Sequence, residues 1–357
     1  MTSGYWIFLL MIIPVIAGII SWQKFHTIEL WEAATSVGSA LLVITGVFVI
    51  SQCSLSHDNY TESGRIMSVV HTPEWRAEWT ETETYTTTDS KGKSHTHTRL
   101  VTKRKTHHPK WEADTSIGRM RITEGYFNHI GAKWGIHKER GYRPNYDSGD
   151  RYDYHSIVSD DPEYCDYPVN GTAMWSNPIK TQKGLHGYGK LSDKEIQQYG
   201  LFEYPNHDKF KSSRLLGDAP ISHWDWDKMN TYLYDQRGVN VLMIKLGSID
   251  TAKKLQQHWK NGKKNDLILC YGDGWSYVFG WSDKELVKMN LQTILLDNPI
   301  DVNIIPLIKS EILKNYKPHN WEQYQDDEFV VETWMIVTAF LLMIATQAGL
   351  YYAFHKN

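Results

Sequence analysis

Only three cysteines occur in 357 residues, Cys53, Cys165 and Cys270, and no two stand as Cys-x-x-Cys. That excludes a disulfide scaffold and a cysteine-based zinc site. Cys53 borders an apolar run, so only Cys165 and Cys270 could pair within a folded domain. Charge of one sign is lacking as well: 38 Lys+Arg against 41 Asp+Glu leave a formal net charge of -3. A protein whose main business is nucleic acid carries a basic excess that this chain does not have. Gly-x-Ser-x-Gly, His-Glu-x-x-His and Cys–His arrangements are also missing. Those patterns set a nucleophile or a zinc beside its base, so any catalytic site here would be built from dispersed residues.

Charge is locally scarce too, which the mean hydropathy of -0.47 conceals. Tyr5–Trp22, Ala33–Gln52 and Val331–Phe354 are almost free of it. Each approaches the roughly 20 residues that a helix needs to cross a bilayer. The fold class expected is therefore an α+β membrane protein. Transmembrane helices cover 1–22, 33–53 and 331–354, a short loop covers 23–32, and one large water-facing domain fills the interval. Met1–Gly4 carry no Lys or Arg, so the first run reads as an uncleaved helix, kinked at Pro14, rather than a signal peptide. Lys24 and Lys356 flank one side, while Asp326, Asp327, Glu328 and Glu332 flank the other. The positive-inside rule then puts loop and C-terminus in the cytoplasm and the domain outside it, periplasmic in a Gram-negative host. Ala34, Ser36, Gly38, Ser39 and Gly46 permit close helix approach, within the chain or in a homo-oligomer.

What the chain has in excess is 15 Trp and 21 Tyr, side chains suited to contact with headgroups or another protein. Residues 54–125 read as β. Glu74–Thr88 and Ser94–His108 are Thr-rich arms around Asp89–Lys93, a hairpin signal. Glu78, Glu81 and Glu83 face Arg99, Lys103, Arg104 and Lys105, which favours antiparallel pairing. Neither face is apolar near the turn, so the tip projects into water or onto a partner. Residues 126–220 are loop-rich and aromatic, with helices expected over Thr123–Trp134 and after Ser192, where Ser192 and Glu195 have capping-box spacing. Residues 221–325 alternate helix and strand: Trp226–Arg237, Val239–Leu246, Ile249–Trp259, Asp266–Tyr271, Trp275–Trp281, Asp283–Leu296 and Pro306–Asn315.

Val239–Asn298 carries a resemblance. The strand VLMIKL, a helix ending at Trp259, the turn Trp-Lys-Asn-Gly-Lys-Lys-Asn-Asp, the strands LILCY and WSYVFGW, and Ser-Asp-Lys-Glu opening a helix follow in order. This region is similar to the TPM domain of membrane-anchored bacterial and thylakoid proteins. Trp259, Gly262, Lys264, Asn265 and Asp266 match that family's turn, and Asp283 stands where an Asp often opens the next helix. The resemblance implies an α/β module outside the cytoplasm, in a family with links to phosphatase activity and metal binding. The glycine-rich segment that follows the third strand in the family is reduced here to Gly280 before Trp281. In composition the first half also resembles membrane proteins of large tailed bacteriophages.

Candidate chemistry is sparse. His95 and His97, with His107 and His108 further along the chain, could bind zinc, and surface histidines on a Thr-rich ribbon explain the spacing equally. Lys103, Arg104 and Lys105 could attract phosphates, although pairing with the facing glutamates is favoured. Asp147, Asp150 and Asp153, followed by Asp160, Asp161, Glu163 and Asp166, could supply calcium with oxygens outside any EF-hand spacing. Gly184, Gly187 and Gly189 lack the strand and Gly-Lys-Ser/Thr of a phosphate loop, and the sequons at Asn59 and Asn170 read as incidental.

The function expected is that of a membrane-anchored binding or scaffolding protein that meets the lipid bilayer and another membrane or envelope protein. It has no nucleic-acid partner, and its only cofactor candidates are calcium or zinc. The alternative is a TPM-like phosphate-ester hydrolase or metal-dependent enzyme. That alternative requires Asp266, Asp273 and Asp283 to gather at one pocket.

Overall fold

The computed structural model describes residues 12, 15–16, 30–159, 161, 165–176, 190–207, 209–321 and 333–355. Its described chain opens on helix α1 (Leu30–Ser56) and closes on helix α8 (Thr333–His355). The two helices pack on each other through Ala40, Ile44, Ala339 and Met343. Small and polar residues join the seam: Gln347 Nε2 donates to the Ser36 carbonyl at 3.0 Å, and the Ser36 hydroxyl donates back to the Gln347 side chain. Of the small residues singled out on α1, Ser36 and Ser39 meet Gln347 at the seam, whereas a Cβ at Gly38 or Gly46 would meet nothing within 4 Å.

Among the described residues, no helix is long and apolar enough to cross a membrane. This corrects the expected three transmembrane helices. The integral-membrane placement, with an extracytoplasmic domain and a cytoplasmic C-terminus, is corrected with it. Scarcity of charge is a signal that helix pairing also produces, and α1 and α8 bury Ala40, Ile44, Ala339 and Met343 on each other. The run Tyr5–Trp22 lies almost wholly outside the described residues.

Strand β1 (His57–Thr72) follows α1 and serves two sets of partners. Its first half pairs antiparallel with β9 (Pro168–Ser176), from His57↔Ser176 to Arg65↔Pro168. Its second half lies between β4 (Lys110–Thr115) and β8 (Tyr152–Ile157). Strands β5 (Gly118–Arg121) and β6 (His137–Arg140) complete the order β5-β4-β1-β8-β6. Helix α2 (Glu124–Trp134), capped by the Thr123 side chain on the Tyr126 N–H, buries Phe127 and Ile130 against Ile66, Val69 and Val169.

The hairpin forms as expected. Strands β2 (Trp75–Thr88) and β3 (Ser94–His107) pair without interruption from Trp75↔His107 to Thr88↔Ser94. Among the described residues, only the base is joined by a third strand, where β7 (Tyr146–Gly149) pairs with residues 75–77.

The second half is a four-stranded sheet, β10 (Leu215–Leu216), β11 (Asn240–Lys245), β12 (Asp266–Gly272) and β13 (Trp275–Gly280), with only β13 antiparallel. Alternation splits its side chains between two cores. Val241, Met243, Leu267 and Leu269 face helices α4 (His223–Arg237), α6 (Leu286–Asp297) and α7 (Ile304–Asn315). Leu242, Ile244, Ile268 and Cys270 face α5 (Ile249–His258), with Leu191 and Ile196 of the α3 region (Asp193–Tyr199) packed alongside. The Ser192–Glu195 capping box that opens α3 is present. Cys165 and Cys270 are both buried free thiols, so they do not pair. Helix α6 starts three residues later than the sequence pattern suggests. The Ser282 hydroxyl is engaged by the Lys284 N–H and the Lys317 carbonyl, which ties 282–285 into a turn.

Candidate binding site

The turn after α5 carries the longest run of positive φ among the described residues. Lys260, Asn261 and Gly262 follow one another at φ of 48°, 67° and 84°. Only the glycine adopts that region freely, and a non-glycine residue there costs on the order of 1–2 kcal/mol. Asn261 holds the turn by docking on β13: its Nδ2 donates to the Gly280 carbonyl at 3.1 Å, and its Oδ1 accepts from the Gly280 N–H at 3.2 Å. Gly262 is required twice over, since a Cβ there would sit 2.6 Å from Ile268 Cδ1.

This turn aims three lysines at one place. Lys263 pairs with Asp58 of β1 at 3.2 Å. Lys264 places its Nζ 3.8 Å from the Tyr60 ring centroid and 4.8 Å from that of Trp175 on β9, a cation–π sandwich. Burial lowers its pKa, an effect that the Glu62 charge partly opposes. Beyond the turn lies a cavity of about 320 Å³, walled by Tyr204, Trp259, Trp281 and Trp321 and edged by the lysines. Trp281 and Trp321 meet with centroids 4.8 Å apart, and Trp175 meets Trp321 at 4.9 Å.

Behind the turn runs a buried polar chain. Asp266 is fully buried, and its carboxylate accepts from the Lys263 N–H (2.7 Å), Asn240 Nδ2 (2.8 Å) and Tyr204 hydroxyl (2.9 Å). Burial pushes its pKa up to about 6 against the pull of these donors. Asn240 Oδ1 in turn accepts from Arg214 Nε at 2.6 Å. The Arg214 guanidinium, 1% exposed, also donates to Asn170 (2.6 Å), Ser63 (2.6 Å) and Asp227 (2.9 Å). One side chain therefore links β1, β9, α4 and β11.

Of the residues singled out in the sequence, Trp259, Gly262, Lys264, Asn265 and Asp266 do come together. Trp259, Gly262 and Lys264 border the cavity, while Asn265 points inward and donates to the Thr61 carbonyl at 2.9 Å. Asp283 stands apart, paired with His319 at 2.8 Å and Lys317 at 3.3 Å. Burial raises its pKa, and the Asn320 N–H with those two bases outweighs this and holds it low. Asp273 lies exposed in the β12–β13 turn. The three carboxylates that a hydrolase would need are thus in three different settings.

The calcium candidates also go separate ways. Asp153 accepts from Arg143 Nη2 at 2.6 Å, Asp150 from the Tyr154 hydroxyl at 3.1 Å, and Asp147 from the Ser148 hydroxyl at 3.2 Å. No group of three or more His, Cys, Asp or Glu able to hold a metal occurs among the described residues. Asp160, Glu163 and the glycines at 184, 187 and 189 lie outside those residues. On the ribbon, His97 stacks on Tyr85 and His107 on Trp75, at opposite ends. Arg104 pairs with Glu78 at 2.7 Å, and Lys103 with Glu83, so the basic run is engaged across the strands.

A larger groove of about 690 Å³ opens between α2 and the start of α4, with Tyr126, Phe210 and Trp224 on its walls. Its acids are already engaged, Asp166 by Lys133 and Asp227 by Arg214. The turn after α5 combines strain, aromatics and cations, and that makes it the stronger site. Sequence reasoning missed Arg214, Tyr204, Trp175 and Trp321, whose partners are far away in the chain. The dipeptide Asn261-Gly262 is the one local sign of the unusual turn.

No protein-family model, no curated protein and no solved structure matches the chain.

Proposed function

We propose that the protein is a binding protein that engages a protein partner through the β2–β3 ribbon, with the two-sheet body as its mount. The observation that supports this is the ribbon's isolation. Beyond residue 77 it has no third strand among the described residues, and at about 3.3 Å per residue it continues for roughly 35 Å. A two-stranded ribbon is marginal by itself in water, and open strand edges are a liability that chains ordinarily cover. This one is retained and reinforced. Arg99–Glu83 and Arg104–Glu78 pairs and the Tyr85–His97 stack hold it together, while Tyr85 (46%) and Leu100 (75%) stay exposed. Thr80, Thr82, Thr84, Thr86 and Thr88 share one face, leaving an even, uncharged row opposite the charged one.

The experiment shortens the ribbon while keeping the body. Thr80 and Thr102 are cross-strand neighbours, so Asn-Gly can replace residues 81–101 between them as a tight turn. The shortened chain is expected to unfold within about 2 °C of the full one, because no body contact is removed. In extracts of cells that naturally make the protein, the full chain is expected in an assembly larger than its own 41.5 kDa, and the shortened chain alone. An assembly of unchanged size would overturn the proposal.

A further inference from the structure

We infer that the cavity beside the α5–β12 turn is a binding site for a small planar aromatic anion, a flat ring bearing a phosphate or carboxylate. The two acids that border it are each matched with a base: Asp58 with Lys263 at 3.2 Å and Glu203 with His258 at 3.5 Å. Lys260 and Lys264 border it with no carboxylate partner among the described residues. The acid nearest in effect to Lys264 is Glu62, whose carboxylate already accepts from the Tyr60 hydroxyl at 3.3 Å and the Tyr234 hydroxyl at 3.0 Å. Two cations without a carboxylate are left at its border, Lys264 with its Nζ between the Tyr60 and Trp175 rings. An anion there would gain charge-assisted hydrogen bonds in a partly water-excluded place.

The walls supply the other half of the ligand. Tyr204, Trp281 and Trp321 bring ring surfaces to a space of about 320 Å³, the small end of ligand-binding cavities. Trp281 is fixed by its own Nε1–H on the Gly262 carbonyl at 3.2 Å, and Trp259 by its Nε1–H on the Phe202 carbonyl at 2.8 Å. Those rings are therefore oriented before any ligand arrives, which reduces the entropy lost on binding. The strained backbone at Lys260 and Asn261 fits the same role: the left-handed turn is what brings Lys260, Lys263 and Lys264 to one edge.

The test uses phenyl phosphate as probe, with inorganic phosphate and phenol as its two halves, followed by calorimetry on the full chain. Phenyl phosphate is expected to saturate and to bind at least about tenfold more tightly than either half. Lys264→Gln and Lys260→Gln, each keeping its stem, are expected to weaken it about tenfold and about threefold. Arg119→Gln, on β5, leaves it unchanged. Should Lys264→Gln fail to fold, Lys260→Gln on the exposed side of the turn carries the test. The inference is overturned by no saturation of the full chain at about 10 mM, by equal affinity for phosphate and phenyl phosphate, or by unchanged affinity in a folded lysine variant.

Discussion

Arg214→Ala is expected to destabilise the protein by about 3–5 kcal/mol, the range for removing one partner of a buried charge pair. The guanidinium is fully enclosed, and its four hydrogen bonds satisfy Asn240, Asn170, Ser63 and Asp227 together. Truncation leaves the Asp227 carboxylate half-sealed without its cation and strands two amide oxygens. The loss exceeds what burial of the arginine contributes by itself, because the stranded groups carry the penalty. Arg214→Met combined with Asp227→Leu removes both charges and is expected to recover part of the loss, since the uncompensated carboxylate is gone. Urea unfolding curves measure both. A loss under about 1 kcal/mol for Arg214→Ala would show that the network is incidental to the joining of the two sheets.

Asp266 is expected to make the protein less stable as pH rises from about 4 to about 6, the reverse of the usual carboxylate behaviour. Burial raises its folded pKa to about 6 from an ordinary value of 3.8. Between those values the folded chain holds a proton that the unfolded chain has released. Its contribution is complete below the unfolded value and is lost as pH passes through the folded one, about 3 kcal/mol over the interval. Other carboxylates titrate in the same range, so the quantity to measure is the difference between the parent and Asp266→Asn. The parent's advantage is expected to shrink from pH 4 to pH 6 and to stay level above pH 7. A flat difference, or one that grows with pH, would contradict the burial argument.

Much of the fold can be read locally. The ribbon's pairing follows from two Thr-rich arms, with Glu78 and Glu83 of one opposite Arg104 and Arg99 of the other. The strands Val241–Ile244 and Leu267–Cys270 are apolar on both faces because helices cover both, and such runs are conspicuous. The Ser192–Glu195 cap lies within one helical turn. The site was only half legible. The turn residues sit together in sequence, whereas Tyr204, Arg214 and Asn170 reach it through long-range contacts that leave no periodicity. Charge-free runs misled for a related reason: absence of charge shows that a run is apolar and not what it meets, and α1 and α8 meet each other through Ala40, Ile44, Ala339 and Met343.

Placement of a photo-cross-linking side chain tests most directly whether the β2–β3 ribbon is the contact element. Thr84 stands midway along the exposed ribbon, and Lys194 on α3 is an exposed control on the body. In cells that naturally make the protein, irradiation is expected to give one discrete heavier product from the Thr84 position and none from Lys194. A product from Lys194 alone, or none from Thr84 with the chain folded and expressed, would contradict the account.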